Sequence, residues 1–392
     1  MRRYRGNTSF TRVVPLTRRI CYVTGSRADF GLIASTLCAA HAERDLAVSI
    51  AVTGMHMDPA HGLTVRDVEA SGLPISVMIR TPELDGTGFG MAAALSTMLL
   101  GLATAWHADR PDLVLVLGDR GEMLAGALAA AHLDIPVAHI HGGERSGTID
   151  ESLRHAISKL AHLHFVSNDA SRVRLERMGE RADRVWVTGA PGIAGLAALA
   201  DRTRRALCAE VGLNALLPVA LFCYHPVLQD GAHGDCAPQA AIAALHGRGI
   251  QVLAMTPNSD SGSTSIRTML EERAASGEIV LLRHLARRDF ASWMAHADLI
   301  VGNSSAGIIE AATFGTPVVN IGDRQKMRER NANVIDVGND AASIDAGIAR
   351  ARGVGRVVGA NVYGNDGASA RIVHLLRTVD LTSDITRKCN AY

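Results

Sequence analysis

Between residues 112 and 167 short, wholly apolar runs alternate with Ala- and Leu-rich stretches, and the apolar runs stop abruptly at ionisable residues. Residues 112–117 read Asp-Leu-Val-Leu-Val-Leu and residues 135–140 read Ile-Pro-Val-Ala-His-Ile. Runs this short, with little polar alternation, describe strands buried on both faces, as in a parallel sheet. Helical stretches between them require an alternating α/β fold with the sheet covered on both sides. The first run is followed by Gly118-Asp119-Arg120 and the second by His141-Gly-Gly-Glu144, with Asp150, Arg154 and His155 a little further on. Those residues therefore stand at the carboxyl ends of neighbouring strands, the edge of an open α/β sheet where ligands bind. A helix cap worth about 1 kcal/mol would account for Asp119 alone. It does not account for several carboxylates, imidazoles and arginines in one place, so the cluster reads as an active site.

The same alternation extends in both directions. Strands are expected at 20–24, 46–53, 163–167 and 184–188, and helices at 90–107, 121–132 and 150–162. Gly189-Ala-Pro191-Gly192 interrupts the pattern, after which a second series begins with strands at 219–224, 251–256, 279–282, 299–301 and 317–321. A chain of 392 residues exceeds what one core usually supports. The expected organisation is a basic, mobile extension over 1–18, one α/β domain over 19–190, a second over 191–365, and a helix and tail over 366–392 that pack back on the first domain. A cleft between two such domains suits a ligand with two dissimilar parts.

Composition narrows the function classes. A net charge of +1 and an aromatic content of 4% give no support for a nucleic-acid partner. Six scattered cysteines form no C-x-x-C pair and no metal-ligand spacing, so no metal is expected and the thiols read as buried in a reducing compartment. The first nineteen residues hold six arginines, no acid and no apolar core. No later run is read as long and apolar enough to cross a bilayer, and a cytoplasmic protein without a membrane partner is expected.

Further motifs sit at other strand ends. Gly25-Ser-Arg27-Ala-Asp29-Phe-Gly31 lies between a strand and a helix, where backbone N–H groups can hold an anion. It is not G-x-G-x-x-G, and Thr53-Gly54 stands where an acid would read a ribose, so a dinucleotide is disfavoured and no cofactor is expected. Arg27 reads as a phosphate ligand or as half of a surface salt bridge. Gly302-Asn-Ser304-Ser305-Ala-Gly307 with Glu310 is rich in hydroxyl and N–H donors, with a carboxylate for ribose hydroxyls; the alternative is a plain N-cap with a solvated Glu. His225 beside Pro226 could donate to a diphosphate, and Asn258, Asp260 and Ser263 add polar groups to that rim, although Pro257 and Gly262 alone would explain a turn.

In combination and order these motifs resemble the sugar-nucleotide 2-epimerases, and more closely the hydrolysing branch that makes N-acetylmannosamine or a related sugar. The resemblance spans residues 19–370 and rests on Thr24-Gly-Ser-Arg-Ala-Asp-Phe-Gly31, Gly118-Asp-Arg120, His139-Ile-His-Gly-Gly-Glu144, Gly147-Thr-Ile-Asp150, Arg154-His-Ala-Ile-x-Lys159, Asn303-Ser-Ser-x-Gly-Ile-x-Glu310 and Phe314-Gly-Thr-Pro317. It implies two Rossmann-like domains with parallel sheets facing a central cleft, the glycosyltransferase-B architecture. It implies UDP ligands at Arg27, His225, Asn258, Ser304, Ser305 and Glu310, to which Asp260, Ser263, Gly307 and Arg324 are added. The sugar and its chemistry fall to Asp119, Arg120, His141, Asp150 and Arg154, with His56 and Glu144 nearby. Many relatives carry a carboxylate where this chain has His141, so the imidazole shares or replaces that role.

The implied reaction needs no cofactor. A base removes the C2 proton as the C1–O bond to UDP breaks, an acid then protonates the opposite face of C2, and water attacks C1. Asp119 and Asp150 are the expected acid and base, in either order, with His141 a third participant. UDP-N-acetylglucosamine is the default substrate and a UDP-2,4-diacetamido-2,4,6-trideoxyhexose of the legionaminic acid route the alternative. Relatives imply a homodimer or homotetramer. A retaining glycosyltransferase or a non-catalytic UDP-sugar sensor would use the same pocket, but the acids at the first domain's strand ends favour proton transfer.

Overall fold

A computed structural model describes residues 17–59, 62–82, 87–147, 149–227, 236–257, 262–357, 359–382 and 384–391. Among the described residues the first half contains seven parallel strands: β1 (Arg18–Thr24), β2 (Leu46–Val52), β3 (Ile75–Met78), β4 (Leu113–Leu117), β5 (Val137–Ile140), β6 (Leu163–Val166) and β7 (Val185–Val187). They lie in the order β3-β2-β1-β4-β5-β6-β7. The second half contains β8 (Val219–Cys223), β9 (Gln251–Met255), β10 (Val280–Leu282), β11 (Leu299–Gly302), β12 (Val318–Ile321) and β13 (Val334–Val337), in the order β10-β9-β8-β11-β12-β13. In both sheets, whose strands are all parallel, the order of strand addition reverses once, between β1 and β4 and between β8 and β11. Such switch points open a crevice outside the strand carboxyl ends.

The expected two-sheet α/β architecture is what the chain adopts, and two edge strands extend it. β3 alternates half-buried and exposed positions and β13 is four residues long with Asp336 exposed. Edge strands lack the two-faced burial that makes a strand legible in a sequence, and neither was expected. The central strands β4, β5, β6, β8 and β11 are buried at every position.

The last helix, Ala368–Thr378, places Ile372, Val373 and Leu376 in the same apolar core as β1, β2 and β4. Arg18 donates to the carbonyls of Leu376 and Val379, and Thr36 meets Ser369 at 2.6 Å. The tail beyond the helix also returns to the first half, where Ile385 joins that core and Ala391 donates to the Gly179 carbonyl.

Two expectations are corrected. The helix Gly88–Ala108 has 21 residues and no Asp, Glu, Lys or Arg, so by length and composition it could cross a membrane. In the fold it covers the first sheet, with Ala94, Met98, Leu102 and Trp106 buried on one stripe. Of the cysteines, Cys21, Cys208 and Cys223 are buried, whereas Cys38, Cys236 and Cys389 are exposed.

Candidate active site

Asp119 does not cap the helix that follows it. The N-cap of Gly121–His132 is Arg120, which makes no side-chain cap bond, and the Asp119 carboxylate turns instead to the Arg154 guanidinium. Arg154 is fully buried, donates to the Glu144 carbonyl at 3.1 Å and to Ser146 Oγ at 3.3 Å, and is pushed down to about 9, chiefly by burial. Its helix, Ile149–Leu160, carries Asp150 in the first turn. That helix is tied to the sheet by His139, whose Nδ1 meets Ser158 Oγ at 3.1 Å while Nε2 meets the Gly118 carbonyl at 2.7 Å. Burial holds the His139 imidazole at about 3, so it is a neutral strut.

Beyond β5 the backbone turns sharply at His141, which has φ +65°. A side chain in that left-handed region costs about 1–2 kcal/mol, a strain that tends to collect at functional sites. His141 Nδ1 stands 2.5 Å from Glu144 Oε1, and Ser167 donates to the same oxygen at 2.7 Å. Burial first, then the charge of Arg328, pushes His141 down to about 3. So held, the imidazole is neutral near physiological pH, with Nδ1 engaged by Glu144.

Arg27 follows a capping box in which Ser26 Oγ accepts from the Asp29 amide and Asp29 accepts from the Ser26 amide at 2.7 Å. Asp29 is therefore a structural acid, and it also meets Tyr22 Oη at 3.3 Å. Arg27 is not a surface salt bridge: it reaches His284, two residues beyond β10, and burial lowers it to about 10. His56 is engaged within the first half. It is fully buried, with Nε2 2.9 Å from Thr24 Oγ1 and Nδ1 2.9 Å from Thr64 Oγ1, so both nitrogens are spent on packing the first crevice.

At the second sheet's crevice, Asn303 bridges β11 to β8. Its Oδ1 accepts from the His225 amide at 2.7 Å and its Nδ2 donates to the His225 carbonyl at 2.8 Å. Ser304 caps the short helix Ser305–Ile309, which buries Gly307 against β12. Glu310 is buried and paired with Arg287 rather than solvated, so the plain-cap alternative for this motif fails at its acid. Ser263 is buried at the start of the helix Ser263–Ala275. Asn258 and Asp260 lie outside the described residues.

The two edges meet. Arg324 donates to the Asn303 carbonyl at 3.2 Å and stands 3.5 Å from Asp150, while Gln325 donates to the same carbonyl at 3.2 Å. Gly147 donates to the Arg324 carbonyl at 3.2 Å, and a Cβ at Gly147 would collide with the Asp323 carbonyl, so only glycine allows this approach. Arg328 reaches across to Glu144 and lies 3.9 Å from Asp119. Arg174 of the first half donates to the Gly143 carbonyl at 2.7 Å and pairs with Glu329 of the second. Arg328, Gln325, Arg174, Arg287 and Ser167 were missed by sequence reasoning. Gln325 and Arg328 follow β12 as Arg120 follows β4, so the strand-end rule, applied to every strand, would have found them. Glu122 was also missed; it is buried against Gly25, where a Cβ would overlap its side chain, and stands 3.4 Å from Arg120 Nε.

Residues 39–377 match the family model described as UDP-N-acetylglucosamine 2-epimerase. The chain belongs to that family. It is 42% identical over 377 residues to the UDP-N,N'-diacetylbacillosamine 2-epimerase (hydrolyzing) of Legionella pneumophila, covering 96% of this chain and all of that protein. It is 34% identical over 345 residues to the UDP-N-acetylglucosamine 2-epimerase of Neisseria meningitidis, covering 86% and 89% of the two chains. Among solved structures, UDP-GlcNAc 2-epimerase from Neisseria meningitidis bound to UDP-GlcNAc superposes with a TM-score of 0.77 at 19% identity, covering 91% of this chain and 99% of that one. The fold of this 2-epimerase family member is thus the two-domain glycosyltransferase-B type, with acids on the first half and arginines on the second meeting where the crevices face each other.

Proposed function

We propose that the protein is a hydrolysing 2-epimerase of UDP-N,N'-diacetylbacillosamine, releasing UDP and the 2-epimeric 2,4-diacetamido-2,4,6-trideoxyhexose. The observation that carries the reaction class is Asp119 at the β4 switch point, aimed at Arg154 and Arg328 rather than used as a helix cap. The substrate rests on the full-length 42% match to a hydrolysing enzyme of that sugar, which moves the reading away from the default UDP-N-acetylglucosamine. That default remains the second reading, favoured by the 34% relative.

In this reading residues 19–190 hold the sugar and move protons, and residues 191–365 hold UDP. Asp119 and Asp150 stand at the two ends of one arginine-lined edge, bound by Arg154 and Arg324 respectively. One removes the C2 proton as the C1–O bond breaks and the other returns a proton to the opposite face, before water attacks C1. The arginines and Ser304, Ser305 and Arg27 offset the charge that develops on departing UDP, the dominant need because C2–H is barely acidic. His141 serves as a fixed, neutral hydrogen-bonding partner.

The test is incubation with each UDP-sugar in D2O, followed by proton NMR and UDP release. The 2-epimer of the diacetamido sugar, free and deuterated at C2, supports the reading. Turnover of UDP-N-acetylglucosamine alone reverses the substrate, and no turnover of either overturns the reaction class. We extend the reading to a homo-oligomer, supported by Phe89 and Leu100, which are 83% and 71% exposed on the charge-free helix Gly88–Ala108. Sedimentation should give a dimer or tetramer that Leu100→Glu dissociates.

A further inference from the structure

Glu144 is 1% exposed and lies among the strand ends of the first half, yet its compensating cation comes from the second half. A carboxylate taken out of water needs a paired charge and hydrogen bonds on its remaining oxygen positions. Its Oε1 faces His141 Nδ1 and Ser167 Oγ, and its Oε2 faces Arg328. Arg328 is itself 9% exposed and is braced by Gln325, whose Oε1 accepts from Arg328 Nε at 2.6 Å. The second Arg328 nitrogen points toward Asp119, 3.9 Å away. One guanidinium therefore touches both the acid that orients His141 and the acid that faces Arg154.

We propose that Arg328 is a positioning residue that the second half supplies to the reaction centre of the first, so that the Asp119–His141–Glu144 constellation is complete only when the two halves are docked. The proposal rests on the reading above for what the constellation does, but not for how it is held. Glu144 accepts from Ser167 and Arg328 and also from the protonated Nδ1 of His141, which fixes the tautomer and leaves the lone pair on Nε2. Without Arg328, Glu144 would be a buried charge with only two neutral donors, and His141 would be free to change tautomer or to capture a proton. The charged and titratable groups that face His141 are Glu144 on its own loop, Arg328 after β12, Glu310 after β11 and His139 on β5.

The experiment compares the full-length protein with Arg328→Met, Arg328→Lys and Glu144→Gln. Arg328→Met should lower kcat about 100-fold, as displacement of a supporting group by an ångström does, with KM and UDP affinity by calorimetry changed less than about 3-fold. Arg328→Lys should recover part of that loss. In the Glu144→Gln background, adding Arg328→Met should cost less than about 10-fold more, because the two act through one contact. Nitrogen-15 NMR of the histidine rings reads the same proposal without turnover: the His141 midpoint should rise by at least about one unit in Arg328→Met. An unmoved His141 midpoint, or a kcat within about 3-fold of wild type in folded Arg328→Met, overturns it. If Arg328→Met does not fold, Arg328→Lys and Glu144→Gln carry the titration. An inactive wild type with a shifted His141 would sink the functional reading and leave the positioning role standing.

Discussion

Glu144 and Glu180 are assembled from the same parts and do different things. Each is a buried carboxylate beside a buried histidine and a cation from a distant part of the chain. Glu144 pairs with His141 and with Arg328 of the second half. Glu180 pairs with His164 at 3.0 Å, Lys159 at 2.7 Å and Lys388 of the C-terminal tail at 2.6 Å. Two of the chain's three lysines thus converge on one acid. Glu180, however, sits before β7 and its histidine is the second residue of β6, at the amino edge of the sheet, whereas Glu144 follows β5 at the carboxyl edge. Crevices for ligands open at the carboxyl edge. A buried acid, imidazole and cation are therefore not in themselves a catalytic signature; the edge they occupy decides.

The comparison can be broken by substitution. The largest expected effect is at the carboxyl edge, where Asp119→Asn should lower kcat about 1000-fold with UDP binding retained, measured by UDP release and calorimetry. Asp119→Asn with near-wild-type turnover would remove the acid from its proposed role. At the amino edge, Glu180→Gln should lower stability by about 3–5 kcal/mol, because it leaves two ammonium groups without their acid, while kcat of the folded protein stays within about 3-fold. A large kcat loss in folded Glu180→Gln would erase the distinction between the edges.

Lys388 sharpens the same contrast. It donates to the Ser158 and Ala161 carbonyls at 2.9 and 2.6 Å, tying the tail to the end of the helix that carries Asp150 and Arg154. Lys388→Met should cost about 2 kcal/mol in denaturant melts, less than Glu180→Gln because Lys159 still compensates the acid.

The smallest effect is in the pH dependence. Burial opposes ionisation of Glu180, yet its hydrogen bonds from His164, Lys159 and Lys388 hold it at about 2, against an ordinary 4.5. Its contribution is therefore whole above about 4.5 and is lost as pH falls toward 2. Burial holds His139 and His141 at about 3 and His162 at about 4, against 6.5 when unfolded. Their neutral forms favour the fold above about 6.5, and that advantage declines as pH falls toward 4 and then 3. Melting temperatures should decline from pH 6.5 downward, and Glu180→Gln should flatten the curve only below about 4.5. Flattening near pH 6 in that variant would show the two effects to be one.

The positions of the inner strands along the chain, the α/β class and the place of the ionisable cluster were legible because they are local. A run such as residues 113–117 is apolar at every position, and a residue such as Asp119 follows it after a single glycine, whatever the rest of the chain does. The edge strands β3 and β13 were not legible, since half-exposed positions blur the pattern. Nor was it legible that His56, a plausible ligand by type, would spend both nitrogens on Thr24 and Thr64.

By itself the sequence determined two alternating α/β series and the residues that end most of their strands, because periodicity and strand-end chemistry are properties of short segments. Only the tertiary structure decided partners. That Arg328 meets Glu144, 184 residues away, or that Lys388 meets Ser158, 230 residues away, depends on how the halves and the tail dock. Charges in water have little preference for one another; burial makes each pairing specific, and burial is decided by the whole chain.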